Sequence, residues 1–290
     1  MKICRFNDDR LGLVRGDTIL DVTSVLELLP PLRWPVPPGD QLIANLDRLR
    51  PEIDKRSHGA RSFRIGEVKL RSPVANPSKL IAAPLNYTLH VDESAKDAGI
   101  HHGVHLPGFE GFASPVDKFG LFLKAGTSLV GPGDGVAIAF PNRRNDHEVE
   151  LAVVIGRGGR GIAEAEARSH IAGYAIGLDM TVRGTEDRSF RKSADSYSVL
   201  GPWLVTADEI ADPGSLDFWI RVGNEQRQAA NTRDLLVGID RLIALASSCY
   251  TLCPGDVIFT GTPEGVNTVK PGDVMVAWID KIGEMTVAVR

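Results

Sequence analysis

The sequence predicts an α+β protein rich in strand. A curled mixed or antiparallel sheet forms a large C-terminal domain, preceded by a small N-terminal α/β unit. Three observations point there. Short β-branched and aromatic runs bounded by Gly, Pro, Asn or Asp recur along most of the chain. Helical periodicities are few and do not alternate regularly with the strands, which argues against a doubly wound parallel sheet. Prolines at 30, 31, 35, 37 and 38, and again at 73 and 77, punctuate the first quarter. They place a boundary in residues 68–77, dividing the chain into residues 1–72 and 73–290. A chain of 290 residues has room for one large and one small unit.

In chain order, Met1–Phe6, Leu11–Arg15 and Thr18–Val22 read as strands, with turns at Asn7-Asp8-Asp9 and Gly16-Asp17. Leu42, Ile43, Leu46 and Leu49 give residues 41–50 a helical spacing that Pro51 should end or kink. Strands follow at 79–83, 121–124, 136–140, 148–155, 171–180, 203–205, 218–222, 257–260, 274–279 and 285–289. Helices are expected at 90–98, 162–169 and 232–250. The last carries Leu235, Leu236, Ile239, Leu242, Ile243 and Ala246 on one broad apolar face.

Composition excludes several functions. The chain is 43% hydrophobic with 33 basic and 37 acidic residues, a formal charge of -4, and no basic block. Nucleic acid is therefore not the expected partner. No apolar run approaches the length of a membrane span. Met1-Lys2-Ile3-Cys4-Arg5-Phe6 lacks the apolar core of a secretion signal, and Cys4, Cys249 and Cys253 form an odd, scattered set. A reducing cytoplasm is expected, with Cys249 and Cys253 packing at the end of an apolar helix.

The residues richest in chemistry lie in Asp146-His147-Glu148-Val149-Glu150-Leu151. On a strand, Glu148 and Glu150 point to the same face. Two carboxylates at the mouth of a buried strand repel and lose hydration, so a cation between them is expected. Oxygen donors of this kind suit Mg²⁺ or Mn²⁺. Asp179 interrupts the next apolar run, Ile171–Met180, and would complete a three-carboxylate face if the two strands are neighbours. The alternative is an exposed edge with Asp179 capping a turn. Residues 99–118 read as a long loop with His101, His102 and His105. A lid or substrate-contacting role, a zinc site and a plain surface loop all remain open for it.

Asp179 is followed by Met180-Thr181-Val182-Arg183. Upstream lie Asn86-Tyr87-Thr88-Leu89-His90-Val91-Asp92-Glu93, Phe122-Leu123-Lys124 and Ser128-Leu129-Val130-Gly131-Pro132-Gly133-Asp134. Downstream lie Lys192-Ser193-Ala194-Asp195, Leu200-Gly201-Pro202-Trp203 and Thr260-Gly261-Thr262-Pro263-Glu264-Gly265-Val266. In this order, over about residues 79 to 280, the set resembles the fumarylacetoacetate hydrolase family. The resemblance implies a β-roll catalytic domain, a homodimer, and cleavage of a carbon–carbon bond in a small 2-oxo acid or acylpyruvate through a metal-stabilised enolate. It implies Glu148, Glu150 and Asp179 as ligands of Mg²⁺ or Mn²⁺, His90 as base with Glu93 orienting it, and Lys192 as the cation for an oxyanion. Tyr87, Lys124 and Thr262 are implied around the substrate, together with Glu186, which stands where many relatives have glutamine. Arg183-Gly184 replaces a common Arg-Asp pair, which leaves the substrate open. Isomerisation of a carboxymethyl-hydroxymuconate, hydration of an oxo-pentenoate and decarboxylation of an oxaloacetate-like acid use the same enolate.

Two readings compete from other classes. Gly156-Arg157-Gly158-Gly159-Arg160-Gly161 matches the dinucleotide pattern G-x-G-x-x-G, with Asp179 at the distance of a ribose-binding acid. Against an NAD-dependent oxidoreductase stand Glu164 and Glu166, which would repel a pyrophosphate. A non-catalytic binding protein would keep the metal residues, but would not need His90 and Glu93.

Overall fold

The computed structural model describes residues 1–290. One 12-stranded sheet runs the length of the molecule. It begins at Ser62–Arg64 and passes through Thr18–Asp21, Arg10–Arg15 and Lys2–Phe6. Lys2–Phe6 then pairs with Ser198–Thr206, placing Ile3 opposite Leu204. The sheet continues through Ile171–Asp179, Val149–Ile155 and Val257–Phe259, and closes with Leu80–Ala82 and Phe122–Lys124. Pairing along this path is antiparallel except between Val257–Phe259 and Leu80–Ala82. A four-stranded antiparallel sheet, Glu225–Asn231, Asp217–Val222, Val274–Ile279 and Gly283–Ala288, packs on one face. No helix is long and apolar enough to cross a membrane.

The central strand explains the layering. Val149–Ile155 is buried throughout. Leu151, Val153 and Ile155 enter one apolar cluster with Phe218, Met275 and Val287; Ala152 and Val154 enter a second with Leu80 and Phe259. A core on each face accounts for a continuous apolar run instead of an alternating one. Helix Leu46–Ser57 covers the second cluster with Leu49 and Ile53, both fully buried. Each contributes about 1.5–3 kcal/mol of burial.

Several expected elements differ. Residues 136–140 form no strand: Val136 makes a single bridge to Val289, and the amides of Ala137 and Ala139 donate to Ser196 Oγ and Tyr197 Oη. The Val136 and Ile138 amides still donate to the Ala288 and Arg290 carbonyls, so the segment runs beside the C-terminus, but side chains hold the alternate amides and no second strand pairs there. Pro51 does not end its helix. The break falls at Asn45, whose side-chain amide donates to the Gln41 carbonyl. The long C-terminal helix starts only at Ile239, because Asn86 captures the amides of Leu236 and Val237. Residues 162–169 give a 3-10 helix, Glu164–His170. The Glu225–Asn231 strand lacks apolar alternation, and its only local signal was the Gly223-Asn224 hairpin turn. The 99–118 segment is shortened by helical turns at Ala98–His101 and Pro115–Phe119. Cys249 is exposed, not packed in the core, and all three cysteines are free.

The glycine-rich stretch after Ile155 does not open a dinucleotide site. Its strand pairs antiparallel with Ile171–Asp179 on one side and Val257–Phe259 on the other, and only a 3-10 helix follows. A Rossmann unit needs a parallel crossover with an α-helix at the phosphates.

Candidate metal and catalytic site

The antiparallel register of the two central strands builds the acidic face. Val149 lies opposite Leu178 and Glu150 opposite Gly177. One step further out, the Asp179 amide donates to the Glu148 carbonyl at 2.9 Å. Glu148, Glu150 and Asp179 therefore share one side of the sheet, with a carboxylate oxygen from each within 4.8 Å of the others. Gly177 is required beside them: a Cβ there would lie 2.7 Å from the Phe259 ring.

The three carboxylates are buried but not equivalent. Lys192 Nζ donates to Glu148 Oε2 at 2.6 Å and Asp179 Oδ2 at 2.7 Å. Arg183 donates to Glu148 Oε1 at 2.9 Å and Asp146 Oδ2 at 2.8 Å. Burial alone would raise the Glu148 carboxyl, but Lys192, Arg183 and His90 overcome it and hold it below the usual range. Glu150 goes the other way. Burial, and then the charges of Asp179 and Glu148, push its carboxyl well up, opposed by the Gly261 amide at 2.6 Å. Gly261 adopts φ +107°, and a Cβ would fall 2.6 Å from Asn86 Cβ, so glycine is needed to aim this N–H.

This donor set fits a hard divalent cation. All three donors are oxygens, they converge, and a cationic Nζ already bridges two of them. The repulsion that raises Glu150 is what a doubly charged ion would remove. The histidines of the 99–118 segment do not form such a cluster: His101 and His102 stay at the surface side, and His105 turns into the cleft.

His90 lies in helix Thr88–Lys96, with Glu93 one turn later. His90 Nδ1 donates to Glu93 Oε2 at 2.8 Å, and Glu93 Oε1 accepts the Gly265 amide at 2.9 Å. That pairing leaves Nε2 as the free basic nitrogen. His90, Glu148, Glu150, Asp179, Lys192 and Thr262 line one cleft.

The other expected residues are placed differently. Lys124 sits behind Asp179, donating to its Oδ1 and to the Tyr197 carbonyl, outside the lining. Burial lowers its ammonium pKa despite Asp179. Thr262 Oγ1 donates to the Val149 carbonyl at 2.9 Å and accepts from Gln228 at 2.8 Å, leaving one lone pair. Tyr87 is buried against Phe218, away from the cleft, and Tyr197 donates to Asn145. Glu186 forms a two-pronged pair with Arg143 at 2.8 and 2.7 Å near the surface; that hydrogen bonding holds its carboxyl down to about 2. Arg183, quoted in the Asp179 motif without a role, lines the cleft, as do Arg188 and Arg191, which sequence reasoning did not single out. Only Arg183 had a local signal, since it shares the period-two face of Asp179 and Thr181.

Known proteins share this architecture. A maleylpyruvate hydrolase of Aquipseudomonas alcaligenes is 54% identical over 290 residues, covering 100% of this chain and 99% of that protein. The crystal structure of maleylpyruvate hydrolase from Sphingobium sp. SYK-6 in complex with manganese(II) ion and pyruvate matches 100% of this chain and 98% of its own, with TM-score 0.81 and 40% identity. A fumarylacetoacetate hydrolase from the psychrophile Exiguobacterium antarcticum covers 100% of this chain and 99% of its own, with TM-score 0.78 and 29% identity. The family described as fumarylacetoacetate (FAA) hydrolase C-terminal matches residues 79–290, the stretch that holds every residue of the cleft. With both its catalytic-domain signature and its full-length relatives in agreement, the chain belongs to the fumarylacetoacetate hydrolase family.

Proposed function

We propose that this chain hydrolyses an acylpyruvate of the maleylpyruvate kind, breaking the bond between C3 and the acyl carbonyl to release pyruvate and a carboxylic acid. The observation that carries the proposal is the oriented pair His90–Glu93, tethered to Gly265, facing the acidic triad across the same cleft. The named activity of the Aquipseudomonas relative and the manganese and pyruvate in the Sphingobium structure support it.

A divalent ion, Mg²⁺ or Mn²⁺, held by Glu148, Glu150 and Asp179 supplies Lewis acidity to the 2-oxo acid. The chain's own residues do the rest. His90 Nε2 takes a proton from water, while Glu93 fixes the tautomer and stabilises the imidazolium. Hydroxide adds to the acyl carbon, and Lys192 Nζ meets the oxyanion that results. His90 then returns the proton toward C3 of the departing pyruvate unit. Lys124 holds Asp179 in place, and Thr262 offers its free lone pair from the 261–265 loop. Tyr87 backs the start of the His90 helix, and Glu186 clamps the segment at the mouth through Arg143.

The protein works as a homodimer in the cytoplasm. Support comes from exposed Val104, Leu106, Phe112 and Phe190, on segments flanking the cleft, and from three free thiols. Protein stripped with a chelator and reloaded with Mg²⁺ or Mn²⁺ should release pyruvate from maleylpyruvate and acetylpyruvate. Release of carbon dioxide from oxaloacetate, with no acylpyruvate turnover, would replace the hydrolase reading by a decarboxylase.

A further inference from the structure

The lining of the cleft holds three carboxylates, Glu148, Glu150 and Asp179, against four cationic side chains, Arg183, Arg188, Arg191 and Lys192. Two of those cations are committed. Lys192 bridges Glu148 and Asp179, and Arg183 is pinned between Glu148 and Asp146. Arg188 and Arg191 pair with no carboxylate. Arg188 instead lies over the Phe119 ring at 5.1 Å.

Arg191 is only 3% exposed. Its Nε is anchored on the Glu186 carbonyl at 2.8 Å, which fixes the plane of the guanidinium, but Nη1 is buried with no partner. An unsatisfied buried N–H on a charged group is costly, and native structures rarely keep one without a use. A second orphan points into the same cleft from a different element. His105, in the 99–118 segment, has Nε2 buried without a partner. His105, Arg188 and Arg191 line the same cleft. Burial and the charges of Arg191 and Arg188 press the His105 pKa down, opposed by the backbone at Glu186 and Thr185. Burial and the neighbouring guanidiniums Arg183 and Arg188 likewise lower Arg191, to about 10.

A crowd of cations with idle donors is stabilised by an anion. The carboxylate of the 2-oxo acid does not meet this need, since it belongs with the 2-oxo group at the acidic triad. The idle donors match a second carboxylate at the acyl end. We propose that Arg191, with Arg188 and His105, forms a carboxylate subsite that reads an acid group on the acyl side of the substrate and selects dicarboxylic acylpyruvates over monocarboxylic ones. The inference rests on the acylpyruvate reading above and adds the residues that choose among acylpyruvates. Arg191 supplies the fork geometry suited to a carboxylate, and His105 adds a ring nitrogen from a separate segment of the same lining.

The test pairs kinetics with binding. kcat/KM is measured for maleylpyruvate and acetylpyruvate with Mn²⁺-loaded wild type, Arg191→Met, Arg191→Lys and His105→Ala. Binding of maleate is compared by calorimetry with that of isocrotonate, which carries a methyl in place of one carboxylate, in the presence of Mn²⁺ and pyruvate. In Arg191→Met the preference for maleylpyruvate over acetylpyruvate should fall about 30-fold or more, with maleate binding weakened to match. Arg191→Lys should recover part of both, and His105→Ala should lower both in the same direction, a check that stands even if Arg191→Met folds poorly. An equal loss on the two acylpyruvates would assign Arg191 to the shared 2-oxo acid end and overturn the subsite. Wild type that binds maleate no better than isocrotonate would also overturn it. Absence of turnover on both substrates would instead strike the acylpyruvate reading, and the calorimetry would still decide the subsite.

Discussion

Glu148 and Asp179 face each other across an antiparallel ladder, the Asp179 amide donating to the Glu148 carbonyl at 2.9 Å. Two carboxylates in register at the end of a buried sheet are kept there by the cations around them: Lys192 between them, Lys124 behind and Arg183 above.

Replacing Glu150 by Ala removes the proposed ligand whose carboxyl is pushed up by burial and by Asp179 and Glu148. Manganese affinity should fall at least about 100-fold and turnover should vanish, because the remaining two carboxylates are already matched by lysines. Calorimetric titration with Mn²⁺ checks this, and undiminished affinity would remove Glu150 from the ligand set.

His90→Ala should keep the metal and lose hydrolysis by about 10²–10⁴-fold, the range of a general base. Glu93→Gln should keep the ring but weaken its orientation, giving a smaller loss. Pyruvate release by Mn²⁺-loaded variants is the measurement, and an active His90→Ala enzyme would require another base.

Lys192→Met leaves Glu148 and Asp179 facing each other with less compensation. The metal-free protein should lose about 3–5 kcal/mol, as when one member of a buried ion pair is removed. Added Mn²⁺ should restore much of that in urea unfolding, while turnover stays low. A metal-free variant as stable as wild type would contradict the role given to the lysine.

His147 provides the pH dependence. It is fully buried, and burial, reinforced by Arg227, lowers its pKa from 6.5 to about 4. The unfolded chain therefore binds a proton that the folded one refuses across this window, so stability falls as pH drops from about 6.5 to about 4. The slope approaches about 1.4 kcal/mol per pH unit in mid-window. Urea titrations of metal-free protein should show this component in wild type and lose it in His147→Gln.

Leu49→Ala opens a cavity where helix Leu46–Ser57 meets the sheet, against Leu80, Val154 and Phe259. The expected cost is about 2–5 kcal/mol of unfolding free energy, measured by urea denaturation, with metal affinity unchanged.

The sequence revealed the acidic triad because strand geometry is local: alternation alone placed Glu148 with Glu150, and an apolar run interrupted by Asp179 marked its partner strand. His90 and Glu93 were marked by the resemblance and not by spacing alone; the structure shows them hydrogen-bonded one helical turn apart. Tyr87, Glu186 and Lys124 were less legible. Whether a side chain enters the cleft or packs behind it depends on where the chain turns after Val182 and on what Phe218 and Tyr197 occupy. Arg191 left no local signal, and His105 was marked only as one of three histidines in a long loop, since neither acquires a role until two distant segments meet. The absent strand at 136–140 and the delayed start at Ile239 both involve side-chain acceptors on backbone amides, although Val136 and Ile138 keep their bonds to the C-terminal carbonyls. Side-chain groups of Ser196, Tyr197 and Asn86 took backbone donors that periodicity assigned to regular structure.

Residues 261–265 carry two tethers, the Gly261 amide on Glu150 and the Gly265 amide on Glu93. In the proposed mechanism, a backbone displacement in that short stretch would disturb ion capture and proton abstraction together, so the two cannot be tuned separately there. Libraries aimed at new substrates should hold these five positions constant and place their diversity around His105 and Arg188, where neither tether is at stake.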